Sequence, residues 1–403
     1  MAGGSDGLLS IQVRPGHPDF LDLPWHLPLA RWAGSCPRLV ELQRGLSRHE
    51  VLFASYGEAA YALKELAPGA AEREYGRLRD LEQRDLPAVS AVGLVTARVD
   101  GEETSVLVTR FLESSLPYLT LFMQPGLARY RDRLLDAMAG LLVRLHLGGF
   151  YWGDCSLSNT LFRRDAGALQ AWLVDAETSE LHEELSGGLR LQDLLIMEEN
   201  VEGELADVAA VAELPRPLAA TGTGEAIRSR YERLWDEITR EEIIATSESY
   251  RIHERLRALN ELGFTVSEVS LVATGEGDRL RMRPVVTDRD YHRHELHNLT
   301  GIAAGNRQAR LMLNEIRELR ATLARELDRS VRMSAAATRW LETRFRPVVR
   351  RLGPLAAAGA DESELYCQVL EHKWFLSENA RQDVGLEPAL EDYLKRFPAK
   401  AGG

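Results

Sequence analysis

The 403-residue sequence predicts an α+β protein: a β-rich first part with one helix, a helical second part, and a mostly helical C-terminal domain containing a β-hairpin. Three observations predict it. Short apolar runs broken by turn residues crowd the first hundred or so positions. Helical three- and four-residue apolar spacing takes over after Leu116-Pro117. Long Arg/Glu-rich helical stretches then fill the last 150 or so residues. At roughly 150 residues per domain, the length allows two or three domains.

Residues 1–40 are punctuated by Pro and Trp (HPDFLDLPWHLPLARW) and read as an irregular arm or a short edge element. Residues 41–112 form the β-rich part. VLFAS and AYALKEL make a strand pair turned at Tyr56-Gly57-Glu58; Pro68-Gly69 opens a helix through Arg84; LPAVSAVGLVTAR and SVLVTRFL supply further strands. Residues 113–245 form the helical part. A helix over about 127–147 carries Leu135, Met138, Leu142 and Leu145 on one stripe and is stopped by Gly148-Gly149. The polar loop YWGDCSLSN follows, then TLF and AWLV as a small hairpin, and helices over about 189–211 and 225–244. Residues 246–403 read as a separate unit. It has a helix at 248–262, a hairpin turned at 274–278, and helices at about 305–328, 334–347, 361–378 and 387–397.

Composition narrows the function classes. A net charge of -12 lacks the basic footprint that nucleic acid requires, so no nucleic-acid partner is predicted. The start MAGGSDGLLS has neither the basic nor the long apolar stretch of a signal peptide. The apolar helix Leu134 to Leu147 is interrupted by Asp136 and Arg144 and is too short to span a bilayer, so no membrane span is predicted. Cys36, Cys155 and Cys367 are odd in number and far apart, which suits a reduced, cytoplasmic protein without a disulfide framework. Of the 49 basic residues only Lys64, Lys373, Lys395 and Lys400 are lysines, so Lys64 stands alone in the first 372 positions.

Three separated segments suggest one chemistry. Leu145-His146-x-x-Gly149-x-x-Trp152-Gly153-Asp154 runs on to Asn159, five residues beyond Asp154. Asp175 ends the apolar run Leu173-Val174, and Lys64 lies on a strand before the helix AAEREYGRLRDL. Phosphoryl transfer from ATP needs a cation on the α/β-phosphates, hard oxygens on Mg²⁺, and a carboxylate facing the incoming hydroxyl. A loop Asp with an Asn five residues on aims a base and supplies a metal ligand from one segment. In the helix, Glu74, Leu78 and Leu81 fall at i, i+4 and i+7, so Glu74 shares the core-facing stripe and wants a cationic partner, for which Lys64 is the candidate. About one basic residue in twelve here is a lysine (4 of 49), which makes a chance lysine at this position uncommon.

These residues resemble the protein-kinase-like superfamily, within it the lipopolysaccharide-kinase, small-molecule (aminoglycoside-phosphotransferase) and Rio/Bud-type branches. The likeness covers roughly residues 40–200. The whole is similar to an uncharacterised bacterial family that joins such a domain to a C-terminal domain of unknown function. The resemblance implies a two-lobed protein-kinase-like domain, a β-rich nucleotide-binding lobe over 41–112 and a helical catalytic lobe over 113–245. It implies ATP and Mg²⁺, with Asp154 as base or orienter, Lys64 as phosphate clamp, Glu74 as its orienter, and Asn159 and Asp175 as metal ligands. Gly45, Ser47 and Arg48 are then the phosphate-lid candidates, and Arg110, Phe111 and Leu112 the hinge beside adenine. The acceptor is a hydroxyl, on a sugar, glycolipid or other small molecule rather than on a protein.

The chain departs from that pattern in several places. No GxGxxG precedes the lysine strand, Trp152 replaces the usual His, Ser156 replaces a protein-kinase Lys, and Asp175 is followed by Ala176-Glu177. A non-catalytic nucleotide-binding switch, docking a protein partner through residues 246–403, is the other reading; nucleotidylation is a third. Bland readings accompany each signal. Asp154 and Asn159 fit a loop-capping turn, and Lys64 with Glu74 an ordinary ion pair. His253, His292, His294 and His297 read as solvated histidines, and Arg279, Arg281 and Arg283 as the wet face of a hairpin strand. Cys155 is expected within reach of thiol reagents, and Trp374 to Glu378 in a helix core.

Overall fold

The computed structural model describes residues 7–42, 49–123, 130–211, 222–245, 249–261, 265–273, 279–288, 291–356 and 361–397. The chain divides into two compact units, one of residues 1–163 and 171–235, the other of residues 164–170 and 236–403.

The first unit begins with β1 (Gly7–Val13), β2 (Val51–Tyr56), β3 (Ala59–Leu66), β4 (Ala91–Val99) and β5 (Glu102–Arg110) in one five-stranded sheet of order β1-β4-β5-β3-β2. All its pairings are antiparallel. Gly57, at φ +64, supplies the left-handed first position of the two-residue β2–β3 turn. The N-terminal stretch is more than an arm. β1 pairs along β4, and Phe20, Leu23, Trp25, Leu29, Trp32 and Cys36 bury against Leu63, Val95 and Val106. Helix α1 (Pro68–Gln83) opens on Pro68, whose missing N–H costs nothing in the first turn, and buries Glu74, Tyr75, Leu78 and Leu81. It packs on β4 and β5.

The helical part follows: β6 (Ser115–Pro117), α2 (Tyr118–Met123), α3 (Arg131–Leu147), β7 (Phe150–Tyr151), β8 (Thr160–Asp165), β9 (Ala168–Leu173), β10 (Glu180–Leu181), α4 (Gly187–Val211) and α5 (Thr223–Thr239). β6, β8 and β9 form one small sheet and β7 pairs with β10. The backbone of Pro87 and Val89 bonds to Leu173 at both N–H and C=O, which fixes the end of β9 beside the first sheet.

In the second unit, β11 (Glu242–Ala245), α6 (Ser249–Glu261), β12 (Thr265–Ala273) and β13 (Arg279–Asp288) give a sheet of order β11-β13-β12. The helix expected to 244 ends at Thr239 instead. Its last residues include the β-branched pair Ile243-Ile244, which join the central strand with Glu242 opposite Met282. Helices α7 (Tyr291–Thr300), α8 (Asn306–Glu326), α9 (Met333–Trp340), α10 (Arg346–Ala356), α11 (Glu362–Ala380) and α12 (Leu386–Arg396) surround Met312, Ile316, Trp340, Phe345 and Tyr366. The helix expected to stop at 347 runs on. A π turn over Leu341–Phe345 joins α9 to α10, and this wider turn has no use for the N–H that Pro347 lacks.

Three side-chain expectations are corrected. Trp374 and Phe375 are exposed, at 62% and 49%, because α11 buries its other face through Leu365, Tyr366 and Val369. His292 is buried on α7, whereas His294 and His297 on the same helix are exposed. Cys155 is wholly buried, out of reach of thiol reagents in the folded chain. The hairpin turn 274–278 and the side chains of His253, Arg279, Arg281 and Arg283 lie outside the described residues.

Candidate active site

Lys64 sits in the middle of the sheet's working face, opposite Val51 on one side and Leu107 on the other. Its Nζ lies 2.9 Å from Glu74 Oε2 and 2.6 Å from Asp175 Oδ2. The three groups come from β3, from α1 and from the residue pair after β9, so the ion triad exists only in the folded chain. Burial works against the Lys64 charge, and the two carboxylates outweigh it, holding the ammonium above its ordinary range. Glu74 is fully buried, and its Oε1 has no hydrogen-bond partner among the described residues. Burial, reinforced by the Asp175 charge, pushes its carboxyl up to about 7 against the pull of Lys64.

The loop from Trp152 to Asn159 carries Asp154. Glycine is required at its entry. Gly149 has φ +75, and a Cβ there would stand 2.2 Å from the His182 carbonyl oxygen. Asn159 Nδ2 donates to the Asp154 carbonyl at 3.1 Å and to Asp154 Oδ2 at 3.0 Å. With both amide hydrogens so used, its Oδ1 has no hydrogen-bond partner among the described residues. Trp152, which replaces the usual His, has a structural reason: its indole N–H donates to the Asp175 carbonyl at 3.0 Å, tying the loop to the Asp175 segment. Asp175 Oδ1 in turn accepts the Glu177 N–H at 3.0 Å.

Two adjoining hollows meet here. One is lined by Val51, Phe53, Ala62, Lys64, Thr109, Arg110, Phe111, Leu112, Leu157, Asn159 and Asp175, a mostly apolar slot with two cations, one amide and one carboxylate. The predicted hinge residues Arg110, Phe111 and Leu112 are therefore at the slot. The N–H groups of Arg110 and Phe111, however, are committed to the carbonyls of Ser90 and Ala60. The other hollow, of about 430 Å³, is lined by His49, Asp154, Asn159, Asp175, Glu177, Asn200, Glu204 and Asp207 among others. Gly45, Ser47 and Arg48 lie outside the described residues.

Sequence reasoning missed the residues of α4. Asp193 Oδ2 accepts the Trp152 N–H at 2.7 Å and Oδ1 the Gly153 N–H at 2.8 Å. Asp193 also meets His146 Nε2 at 3.2 Å, while His146 Nδ1 meets the Tyr231 hydroxyl at 2.8 Å. Burial lowers the His146 pKa, so a neutral ring donates to Asp193 and accepts from Tyr231. Asn200 Nδ2 donates to Asp154 Oδ1 and to the Cys155 carbonyl, both at 3.1 Å. Glu204 accepts the Leu157 and Ser158 N–H groups at 2.7 and 2.9 Å. The signal was present: Asp193, Asn200 and Glu204 share a helical stripe with buried Met197, the pattern that singled out Glu74.

The Asp175 carboxylate, which also meets Lys64 and the Glu177 N–H, and the Asn159 amide oxygen are hard donors of the kind a magnesium ion takes. An apolar slot that holds Lys64 has the chemistry to take a flat ring together with an anionic group.

Two stretches of the chain match known families. Residues 57–211 match the lipopolysaccharide kinase (Kdo/WaaP) family. Residues 233–397 match a domain of unknown function, DUF4032. No curated protein matches. Among solved structures, WaaP in complex with acyl carrier protein aligns at 14% identity and a TM-score of 0.37, over 63% of this chain and 99% of that one. The chain thus joins a segment similar to the lipopolysaccharide kinase (Kdo/WaaP) family to one that matches DUF4032.

Proposed function

We propose that the protein is an ATP·Mg-dependent phosphotransferase acting on a hydroxyl of a sugar or glycolipid. The observation that carries this reading is the Lys64–Glu74–Asp175 triad facing an Asp154 whose carboxylate is held by an amide on each oxygen. Lys64 holds the α/β-phosphates, and Glu74 keeps it pointed into the slot. Asp154 receives the acceptor hydroxyl. As that oxygen forms its bond to the γ-phosphorus, the bond from phosphorus to the bridging oxygen breaks, ADP leaves, and the hydroxyl proton passes to Asp154. Asp175 and Asn159 would hold Mg²⁺, which when bound neutralises phosphate charge. The second hollow is the place for the acceptor. Its carboxylates Glu177, Glu204 and Asp207 disfavour an anionic acceptor through like charge, so an uncharged or amine-bearing sugar fits it better.

The test is calorimetric ATP binding together with ADP release over a panel of neutral, amino and acidic sugars. Lys64→Met is expected to weaken ATP binding by roughly 10- to 100-fold, the worth of charge-assisted hydrogen bonds. Asp154→Ala is expected to leave binding intact and lower turnover by about 10²- to 10⁴-fold. ATP binding with no turnover on any acceptor would favour the non-catalytic switch. No ATP binding at all would end the reading.

A further inference from the structure

One face of α4 runs along the whole catalytic loop. Asp193, Asn200 and Glu204 are seven and four residues apart, close to two turns and one turn of helix, so they stand in one row. Asp193 takes the N–H groups at the start of the loop, Glu204 those near its end, and Asn200 the middle. The loop has no strand or helix partner of its own here, and these side chains satisfy its backbone instead.

Only the Asn200 contact reaches the reacting group. Within the loop, the Ser156 hydroxyl meets Ser158 Oγ at 3.1 Å and accepts the Asn159 N–H at 3.2 Å. Asn159 bonds one carboxylate oxygen of Asp154 and Asn200 the other. Two donors on two oxygens fix both the direction and the plane of the carboxylate, which one donor alone does not. The sequence around Asn200 reads Glu198-Glu199-Asn200-Val201-Glu202-Gly203-Glu204. A neutral donor stands in an acid-rich stretch at the position whose side chain bonds Asp154 Oδ1.

We propose that Asn200 is a positioning residue that sets the Asp154 carboxylate from α4. This rests on the phosphotransfer reading above, in which Asp154 meets the acceptor hydroxyl. It adds a second clamp outside the loop and an explanation for the amide at 200.

Asn200→Asp keeps shape and turns the donor into an acceptor; Asn200→Ala removes it. Three measurements separate positioning from packing: turnover, the Kd of ATP without Mg²⁺, and alkylation of Cys155 by iodoacetamide followed by peptide mass spectrometry. Cys155 is the built-in reporter, because it is wholly buried and its carbonyl is held by Asn200. Cys36, buried beside the five-stranded sheet, and Cys367, buried in the second unit's core, report global opening. Asn200→Ala is expected to lower kcat about tenfold and Asn200→Asp about 100-fold, since the latter sets carboxylate against carboxylate. ATP affinity is expected to stay within about twofold, and Cys155 alkylation to rise about tenfold with Cys36 and Cys367 unchanged. Equal turnover in wild type and Asn200→Asp, beside an inactive Asp154→Ala, would overturn the proposal and leave phosphotransfer standing. Absent turnover in the wild type on every acceptor would overturn phosphotransfer. In that case the Asn200 proposal falls with it, because Asp154 then has no acceptor hydroxyl to meet.

Discussion

At the scale of single residues, Glu74 carries the sharpest conflict between burial and charge. Burial pushes its carboxyl up to about 7 in the folded chain against an ordinary value of 4.5. The folded chain therefore holds that proton more tightly than the unfolded chain between those two values. Glu74's contribution to stability is complete below about 4.5 and is lost as the pH rises through about 7. Glu74→Gln removes the titration. The thermal midpoint of wild type minus that of Glu74→Gln should fall between about pH 5 and about pH 8. A difference that does not change over that range would contradict the buried-carboxyl account. Lys64 was legible for a compositional reason, as the one lysine of the first 372 residues. Trp152 was legible as a departure only. That its indole donates to the Asp175 carbonyl required the two segments to be seen together.

At the scale of elements, α8 shows a helix start completed from far along the chain. Its N-cap is Gly305, which has no side chain to offer. Asp165, the last residue of β8, takes that role instead. Its Oδ1 accepts the Gln308 N–H at 2.8 Å and its Oδ2 the Arg307 N–H at 3.1 Å. The glycine is needed, because a Cβ at Gly305 would stand 2.4 Å from Asp165 Oδ1. Burial raises the Asp165 carboxyl to about 6, although the two N–H groups pull it down. Asp165→Ala leaves those N–H groups buried without their acceptor. It should cost about 1–3 kcal/mol in denaturant unfolding, and a loss of under about 0.5 kcal/mol would show that the cap contributes little. Neither Gly305 nor Asp165 draws attention in the sequence, since 140 positions separate them. The strand pair around Gly57 and the helix from Pro68 were plain, because local turn chemistry dictates both. β11 was misread as helix because its partner, β13, is remote in sequence.

At the scale of the whole molecule, each unit has a core of its own. Leu63, Val95 and Val106 lie in one, and Met312, Trp340 and Tyr366 in the other. Native-state hydrogen exchange should then show β3 to β5 and α8 to α11 opening with separate free energies. Asp165→Ala should lower protection in α8 and α11 and leave β3 and β5 as they were; equal losses in both sets would mean one cooperative core. The acidic surplus of 12 charges is a property of the full chain and bears on its choice of partners. Among the described residues, no helix is long and apolar enough to cross a membrane.

The sequence by itself determined the α+β class, the change from strands to helices near residue 117, and the residue types from which Lys64, Glu74, Asp154, Asn159 and Asp175 were picked out. Those follow from local periodicity, turn residues and short spacings, which act within a few positions along the chain. Only the tertiary structure decided that Lys64 stands 2.6 Å from Asp175, 111 positions later, and that Asn200 reaches Asp154 across 46. It also decided that Cys155 is sealed and Trp374 exposed. A side chain's burial and its distant partner depend on which surfaces the whole chain brings together, and a hydrogen bond of about 3 Å has no signature in the distance along a sequence.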